Sequence, residues 1–239
     1  MASKKIAGIV PYFNDSANRE HNKQEFLSHM NNEVCDVFLQ DFDLANGITR
    51  AHAFNNGVKE AEQLGYEYVG LFDIDISLPI EALQETVNSL ESKSADVVYP
   101  FSGMPIETDL SIASAFKPYV LDKNLLQWLF DEELNFRVPY SFKTPELLGL
   151  AVCMRTDTFF EVGGENPNFI GWGFEDHERY IRYNTLGKNI TRLPYQITHR
   201  SHDQGIRKHS LWKHNYWEMI KVNSMSVNEL KEYIKLWTV

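Results

Sequence analysis

The sequence predicts an α/β protein: a Rossmann-like, mostly parallel central sheet flanked by helices. Three observations carry that expectation. Short apolar runs alternate with helix-period segments through the first half of the chain. The connections between them are short, which suits strands that lie side by side with helices on the faces. One apolar run stops abruptly at Asp73-Ile74-Asp75, and in such sheets ligands sit beyond the carboxyl ends of the strands.

The elements follow in order. Ile6–Val10 is a buried strand, and the polar Glu20–Asn31 stretch is compatible with a helix. Val34–Leu39 is the next strand. Ala51, Phe54, Val58 and Ala61 then recur at helical spacing. Tyr68–Phe72 is a strand. Pro79 opens a helix behind Ser77, with Ile80, Leu83, Val87 and Leu90 on one face. Ala95–Tyr99 is another strand. Residues 100–146 are less regular, with Pro105, Pro118, Pro139 and Pro145 around a helical stretch from Leu125 to Leu134. Leu147–Met154 returns to strand, and Glu175–Leu186 is a helix stopped by Gly187. Ser226 and Glu229 form a capping box for a last helix over Val227–Trp237. This divides the chain into a main domain over 1–205 and a C-terminal helical extension over 206–239.

Bulk properties narrow the function classes. With 239 residues, 43% hydrophobic and 13% aromatic, the chain can bury a sizeable core. Its net charge of -10 argues against nucleic acid as a partner, since phosphate backbones need clustered Lys and Arg. An anionic substrate would need a local basic site or a bound cation. Cys35 and Cys153 sit inside apolar runs and read as buried thiols of a reducing compartment. No apolar run is long enough for a transmembrane segment, so a cytoplasmic location is expected.

Three motifs carry chemistry. In Leu71-Phe72-Asp73-Ile74-Asp75, two carboxylates one residue apart stand on a rigid strand end; carboxylate oxygens suit Mg²⁺ or Mn²⁺, which can bridge phosphates. Alone, such a pair also fits a solvated turn. In Gly171-Trp172-Gly173-Phe174-Glu175-Asp176, glycines let the backbone approach a ligand while the indole offers a stacking face. The acidic pair follows at a helix start, where the dipole favours ionised carboxylates. An ionised acid beside a sugar-binding aromatic is a general base for a hydroxyl, although part of the cluster could only cap the helix. In His199-Arg200-Ser201-His202-Asp203, an imidazole could join a metal shell with a carboxylate orienting it. Trp212, Tyr216 and Trp217 read as packing for a C-terminal helix rather than a sugar platform.

Taken in chain order, these motifs resemble the β-1,4-galactosyltransferases, with related versions in bacterial chondroitin polymerases and polypeptide GalNAc-transferases. Ile9-Val10-Pro11-Tyr12-Phe13-Asn14 is similar to the family's first-strand Val-Pro-Phe-Arg-Asn. Arg50 to Pro79, with Asn55-Asn56-Gly57 and Phe72-Asp73-Ile74-Asp75, looks like its donor-binding half. Gly171-Trp172-Gly173-Phe174-Glu175-Asp176 resembles its Gly-Trp-Gly-Gly-Glu-Asp signature. The resemblance implies a GT-A fold, with a nucleotide-sugar half over 1–100 and an acceptor and catalytic half over 101–205. It implies a metal-dependent, inverting transferase that moves a sugar from a UDP-sugar donor to a carbohydrate acceptor hydroxyl.

Residue by residue, the resemblance implies that Pro11, Phe13 and Arg50 hold the uridine diphosphate. Asp73 would face the nucleotide, and Asp75 would bind Mn²⁺ or Mg²⁺. Trp172 and Gly173 would line the sugar site, Glu175 would bind the acceptor, and Asp176 would be the catalytic base. A histidine completes the metal shell: His202 is preferred because it precedes Asp203, with His199 second. The chain departs from the family at Tyr12-Phe13, where Arg19 could replace an early arginine, and at Phe174, which stands where the family has glycine. Gly163-Gly164 and Gly171–Gly173 are candidates for a closing loop. Four other readings compete. A non-catalytic nucleotide-sugar or glycan binder would keep Trp172 and lose the base or metal set, and a retaining transferase would carry Glu-Asn where this chain has Glu175-Asp176. Nucleotidyltransferases and dinucleotide-binding dehydrogenases need a glycine-rich loop after the first strand, where this chain has Pro11-Tyr12-Phe13-Asn14-Asp15.

Overall fold

A computed structural model describes residues 3–13, 17–41, 49–103, 106–107, 147–171, 173–200 and 209–237. The helical stretch expected over Leu125–Leu134 lies outside them, as do Trp172 and His202.

Strand β1 (Ser3–Tyr12) leads into α1 (Ala17–Met30), β2 (Cys35–Asp41), α2 (Arg50–Gln63) and β3 (Tyr66–Phe72). A short β4 (Ile76–Ser77), α3 (Ile80–Glu91), β5 (Val97–Tyr99) and β6 (Ile106–Glu107) follow. The second half brings β7 (Ala151–Arg155), α4 (Thr156–Glu161), α5 (Glu175–Thr185), β8 (Ile190–Arg192), β9 (Thr198–His199), α6 (His209–Asn223) and α7 (Val227–Ile234).

The main sheet runs β2-β1-β3-β7-β5-β8. Strands β2, β1 and β3 are parallel, and so are β5 and β8, while β7 runs antiparallel between β3 and β5. The sheet is therefore mostly parallel, as the strand–helix alternation predicts, with one inverted strand that the local pattern at 147–154 does not reveal. Parallel neighbours bury both faces, and Ile6, Ile9, Val69, Phe72, Val97, Val98 and Val152 are all buried. Helix α2 turns Ala51, Phe54, Val58 and Ala61 inward, the face its spacing predicts. Gly57 lets it come close: a Cβ there would stand 2.4 Å from the Ile9 side chain.

Some boundaries differ from expectation. Helix α3 begins at Ile80 with Pro79 as its cap residue, because Ser77 is taken up in β4. Strand β7 starts at Ala151 rather than Leu147, after Leu150 adopts a left-handed φ of 75°. The Ser226–Glu229 capping box is present, and the helix it starts ends at Ile234. Helices α5 and α6 share a second apolar cluster of Phe169, Ile181, Tyr216 and Met219, so the C-terminal helices pack onto the main domain. Both cysteines are buried free thiols. No helix among the described residues is long and apolar enough to cross a membrane.

Candidate active site

Asp73 and Asp75 stand just past the carboxyl end of β3. The backbone N–H of Asp73 donates to the Leu150 carbonyl at 2.9 Å, which ties this strand end to the turn entering β7. Asp75 is followed at once by β4, which pairs antiparallel with β9 in the register Ile76 to His199. That small sheet brings the imidazole to the carboxylate, with His199 Nε2 3.7 Å from Asp75 Oδ2. Arg200 locks the pairing: its N–H donates to the Asp75 carbonyl at 2.7 Å and its guanidinium to the Ile76 carbonyl at 2.9 Å. Of the two histidines named by the sequence, His199 meets Asp75, and His202 lies outside the described residues. Among the described residues no cluster of three potential metal ligands occurs. One carboxylate and one imidazole still suit Mn²⁺ or Mg²⁺, which take much of their shell from substrate phosphates and water.

The other carboxylates start α5. Gly171, Gly173 and Phe174 have φ values of 74°, 113° and 69°, so the chain reaches the helix through a left-handed turn. Phe174 is its cap residue without a side-chain cap bond. A non-glycine residue there carries strain. Its ring packs on Tyr216 at 5.4 Å and on His177 at 6.2 Å between centroids. Tyr216 is buried as expected, whereas Trp217 of the same helix is among the exposed large apolar residues.

Arg50, at the first turn of α2, joins the two carboxylate pairs. Its guanidinium bonds to Asp73 Oδ1 and lies 3.3 Å from Glu175 Oε1. Burial opposes the Arg50 charge, but Asp73, Glu175 and Asp176 together hold it firmly protonated. Glu175 Oε2 accepts the Gly173 N–H at 2.7 Å. Burial and the Asp176 charge push Glu175 up to about 7, against the pull of Arg50. A helix start alone favours an ionised carboxylate; here burial outweighs it. Burial also raises Asp73, which feels Arg50, Asp75, Asp176 and His199 at once. The two acidic motifs and the histidine therefore share one electrostatic site. The cleft beside them is lined by Arg50, Phe54, Glu165, Phe169, Gly171 and Glu175.

Pro11, next to last in β1, pairs with Gln40 of β2, and half-exposed Phe13 follows the strand. Both lie at the same sheet edge as Asp73, because β1 and β3 are parallel with Ile9 beside Leu71. Gly163, one of the closing-loop candidates, is closely packed. It follows α4 with φ 86° and is packed under α7, where a Cβ would come within 2.8 Å of Ile234.

Several residues at the site escape sequence reasoning. Buried Arg179 spans Glu165 and Asp176. Asn55 clasps the Glu165 backbone from α2, donating to its carbonyl at 2.9 Å and accepting its N–H at 2.8 Å. Gly149 lies directly against the Asp176 carboxylate. Asn55 stood in the sequence only as part of the Asn55-Asn56-Gly57 likeness, and Arg179 left a trace as a cation three residues after Asp176 on one helix.

Residues 133–204 match a family model described as the N-terminal domain of galactosyltransferase. A xylosylprotein 4-beta-galactosyltransferase of Caenorhabditis elegans is 22% identical over 200 residues, covering 79% of this chain and 53% of that protein. The chain thus spans about half the length of the curated relative it matches. Among solved structures, the catalytic domain of Drosophila beta1,4-galactosyltransferase 7 in complex with xylobiose superposes with a TM-score of 0.56 at 17% identity, covering 94% of this chain and 83% of that one. A mutant of the same enzyme, in complex with manganese, UDP-Gal and xylobiose, gives 0.52 at 17% identity over 87% of this chain and 79% of that one.

Proposed function

We propose that this chain, a β-1,4-galactosyltransferase-like protein with the GT-A fold, is a metal-dependent inverting glycosyltransferase that moves a sugar from a UDP-sugar to a carbohydrate hydroxyl. The observation that carries the reading is the junction at Arg50, which bonds the strand-end carboxylate Asp73 and the helix-start carboxylate Glu175 at once. The galactosyltransferase likenesses support the same reaction class. UDP-Gal and xylobiose, named in the complexes of similar structures, are the first donor and acceptor to try.

In this reading Pro11 and Phe13 border the uridine and Arg50 and Asp73 the diphosphate side of the cleft. Asp75 and His199 hold a manganese or magnesium ion, with His202 a further candidate ligand. The ion, when bound, neutralises the charge that grows on the departing diphosphate. Trp172 and Gly173 flank the donor sugar, and Glu175 binds an acceptor hydroxyl. Asp176 takes the proton from the attacking hydroxyl. The acceptor hydroxyl oxygen forms the new bond to the anomeric carbon as the bond to the diphosphate oxygen breaks, and the electron pair leaves with the nucleotide. Attack opposite the leaving group inverts the anomeric carbon. Holding both substrates in one cleft supplies much of the rate.

The test is a nucleotide-sugar panel with Mn²⁺ or EDTA, crossed with xylobiose and other glycosides. Turnover requires the metal. Asp176→Asn lowers it by roughly 10²- to 10⁴-fold, the usual worth of a general base, and leaves UDP binding nearly intact. Asp75→Asn abolishes transfer and weakens UDP–Mn²⁺ binding measured by calorimetry. Transfer that survives both substitutions, or a retained anomer by NMR, removes the assignment.

A further inference from the structure

We infer that Arg179, anchored on Glu165, and the side-chain-free Gly149 together position Asp176 so that one carboxylate oxygen is tied and the other receives the acceptor proton. The inference rests on Asp176 being the base.

Arg179 is 4% exposed by its side chain. Two of its nitrogens form a fork on Glu165, Nε to Oε1 at 2.8 Å and Nη2 to Oε2 at 2.6 Å. One buried cation and one buried anion already balance there, and a two-pronged pair fixes the guanidinium plane. The third nitrogen, Nη1, reaches Asp176 Oδ1 at 2.9 Å. A purely structural pair has no need of that arm. Glu165 is itself immobilised, because Asn55 holds its backbone N–H and carbonyl. Rigidity thus passes from α2 through Glu165 and Arg179 to the carboxylate.

The second contact comes from the opposite side. A Cβ at Gly149 would stand 2.8 Å from Asp176 Oδ2, closer than such contacts occur. The Gly149 backbone is outside the left-handed region, so glycine is required there by Asp176 and not by the turn. Next to it, Leu150 does adopt a φ of 75°, and its carbonyl accepts the Asp73 N–H. One strained turn therefore touches both the donor-side strand end and the base. Among the described residues Oδ2 accepts no hydrogen bond, and the Asp176 side chain is 29% exposed. Oδ1 is committed to Arg179, and Oδ2 is the oxygen left for the hydroxyl.

The experiment compares Arg179→Gln, Arg179→Lys and Gly149→Ala with the parent, using the donor–acceptor pair that turns over best in the panel with Mn²⁺. Melting temperatures are taken alongside. Gly149→Ala and Arg179→Gln should lower kcat by about 10- to 100-fold, the scale of a roughly 1 Å misplacement. KM for both substrates and UDP affinity should stay within about twofold, because only the transition-state contact is disturbed. Arg179→Lys should recover part of the loss. Gly149→Ala keeps every charge in place, so it decides the matter even where Arg179→Gln fails to fold. A folded Gly149→Ala variant with parental kcat, or with its whole defect in KM, overturns the inference while leaving the base assignment standing. If no pair turns over, or Asp176→Asn keeps full activity, the base assignment falls and takes this inference with it.

Discussion

Asp73 and Asp75 follow a strand whose last five residues, Tyr68 to Phe72, are all buried. Glu175 and Asp176 start a helix whose inner face carries Glu178, Arg179 and Arg182, all buried. The first pair stands on apolar sheet packing, where neighbours on both faces fix the strand and backbone bonds from Asp73 and to Asp75 tie its end. The second stands on paired charges in the interior. Arg182 Nε lies 2.7 Å from Glu178 Oε1 with both side chains essentially inaccessible, and its Nη1 donates to the Val162 carbonyl at 2.6 Å. Trp237 covers the same guanidinium at 5.0 Å. Apolar packing is tolerant of volume-conserving change, whereas a buried ion pair is unforgiving once one partner is lost. The difference teaches that the Asp73–Asp75 side of the site is a strand-end platform, while the Glu175–Asp176 side is a charge-locked helix whose settings depend on a few specific partners.

Breaking that lock should have the largest effect. Arg182→Ala leaves Glu178 buried and unpaired and frees the Val162 carbonyl, so it should cost about 3–5 kcal/mol, read by urea denaturation. Replacing both partners, Arg182→Met with Glu178→Leu, should recover most of that loss, since well-packed apolar groups often match a buried pair. A loss below about 1 kcal/mol for the single change would put Arg182 in the class of an ordinary surface pair and erase the contrast between the two regions.

The same contrast explains what could be read from residues alone. The inward face of α2 and the strand ending at Phe72 declared themselves because apolar periodicity is a local signal. Asp73, Asp75 and Asp176 were found as acids placed at a strand end and a helix start. The inverted direction of β7 was hidden, since strand polarity depends on the long 100–146 connection and not on residues 151–155. Glu165 and Asn55 could not be paired in advance, as their contact spans 110 positions and involves the Glu165 backbone. Gly149 carried no turn signature, because its reason is the neighbouring carboxylate. The placement of His199 beside Asp75 needed the two-residue β4 and β9 strands, too short to carry a periodic pattern.

A smaller effect comes from pH. Glu175 is raised from 4.5 to about 7 in the fold, first by burial and then by the Asp176 charge. The folded state therefore binds more protons at this residue than the unfolded chain between about pH 4.5 and about 7. Stability carried by Glu175 is full below that window and declines as pH rises through it. Glu175→Gln should remove this part of the slope, so the melting temperatures of variant and parent converge toward acid and separate toward neutral pH, with the variant higher. A parallel pair of curves across the window would mean that Arg50 keeps Glu175 ionised throughout and that burial does not set its charge.

The smallest shift is expected where two opposing terms meet, at Phe174. Its φ of 69° is a glycine conformation, and holding a side chain in it costs on the order of 1 kcal/mol. Phe174→Gly relieves that strain and at the same time strips the ring from Tyr216 and His177, where an aromatic pair is worth about 0.5–1.5 kcal/mol beyond its buried area. The two should nearly cancel, leaving stability within about 1 kcal/mol of the parent by thermal melting. Phe174→Ala keeps the left-handed strain without the ring, and so should be the less stable of the two. If Ala and Gly melt together, the backbone turn at Gly173–Phe174 costs nothing, and the aromatic ring alone explains why this chain can place Phe where the galactosyltransferase signature has glycine.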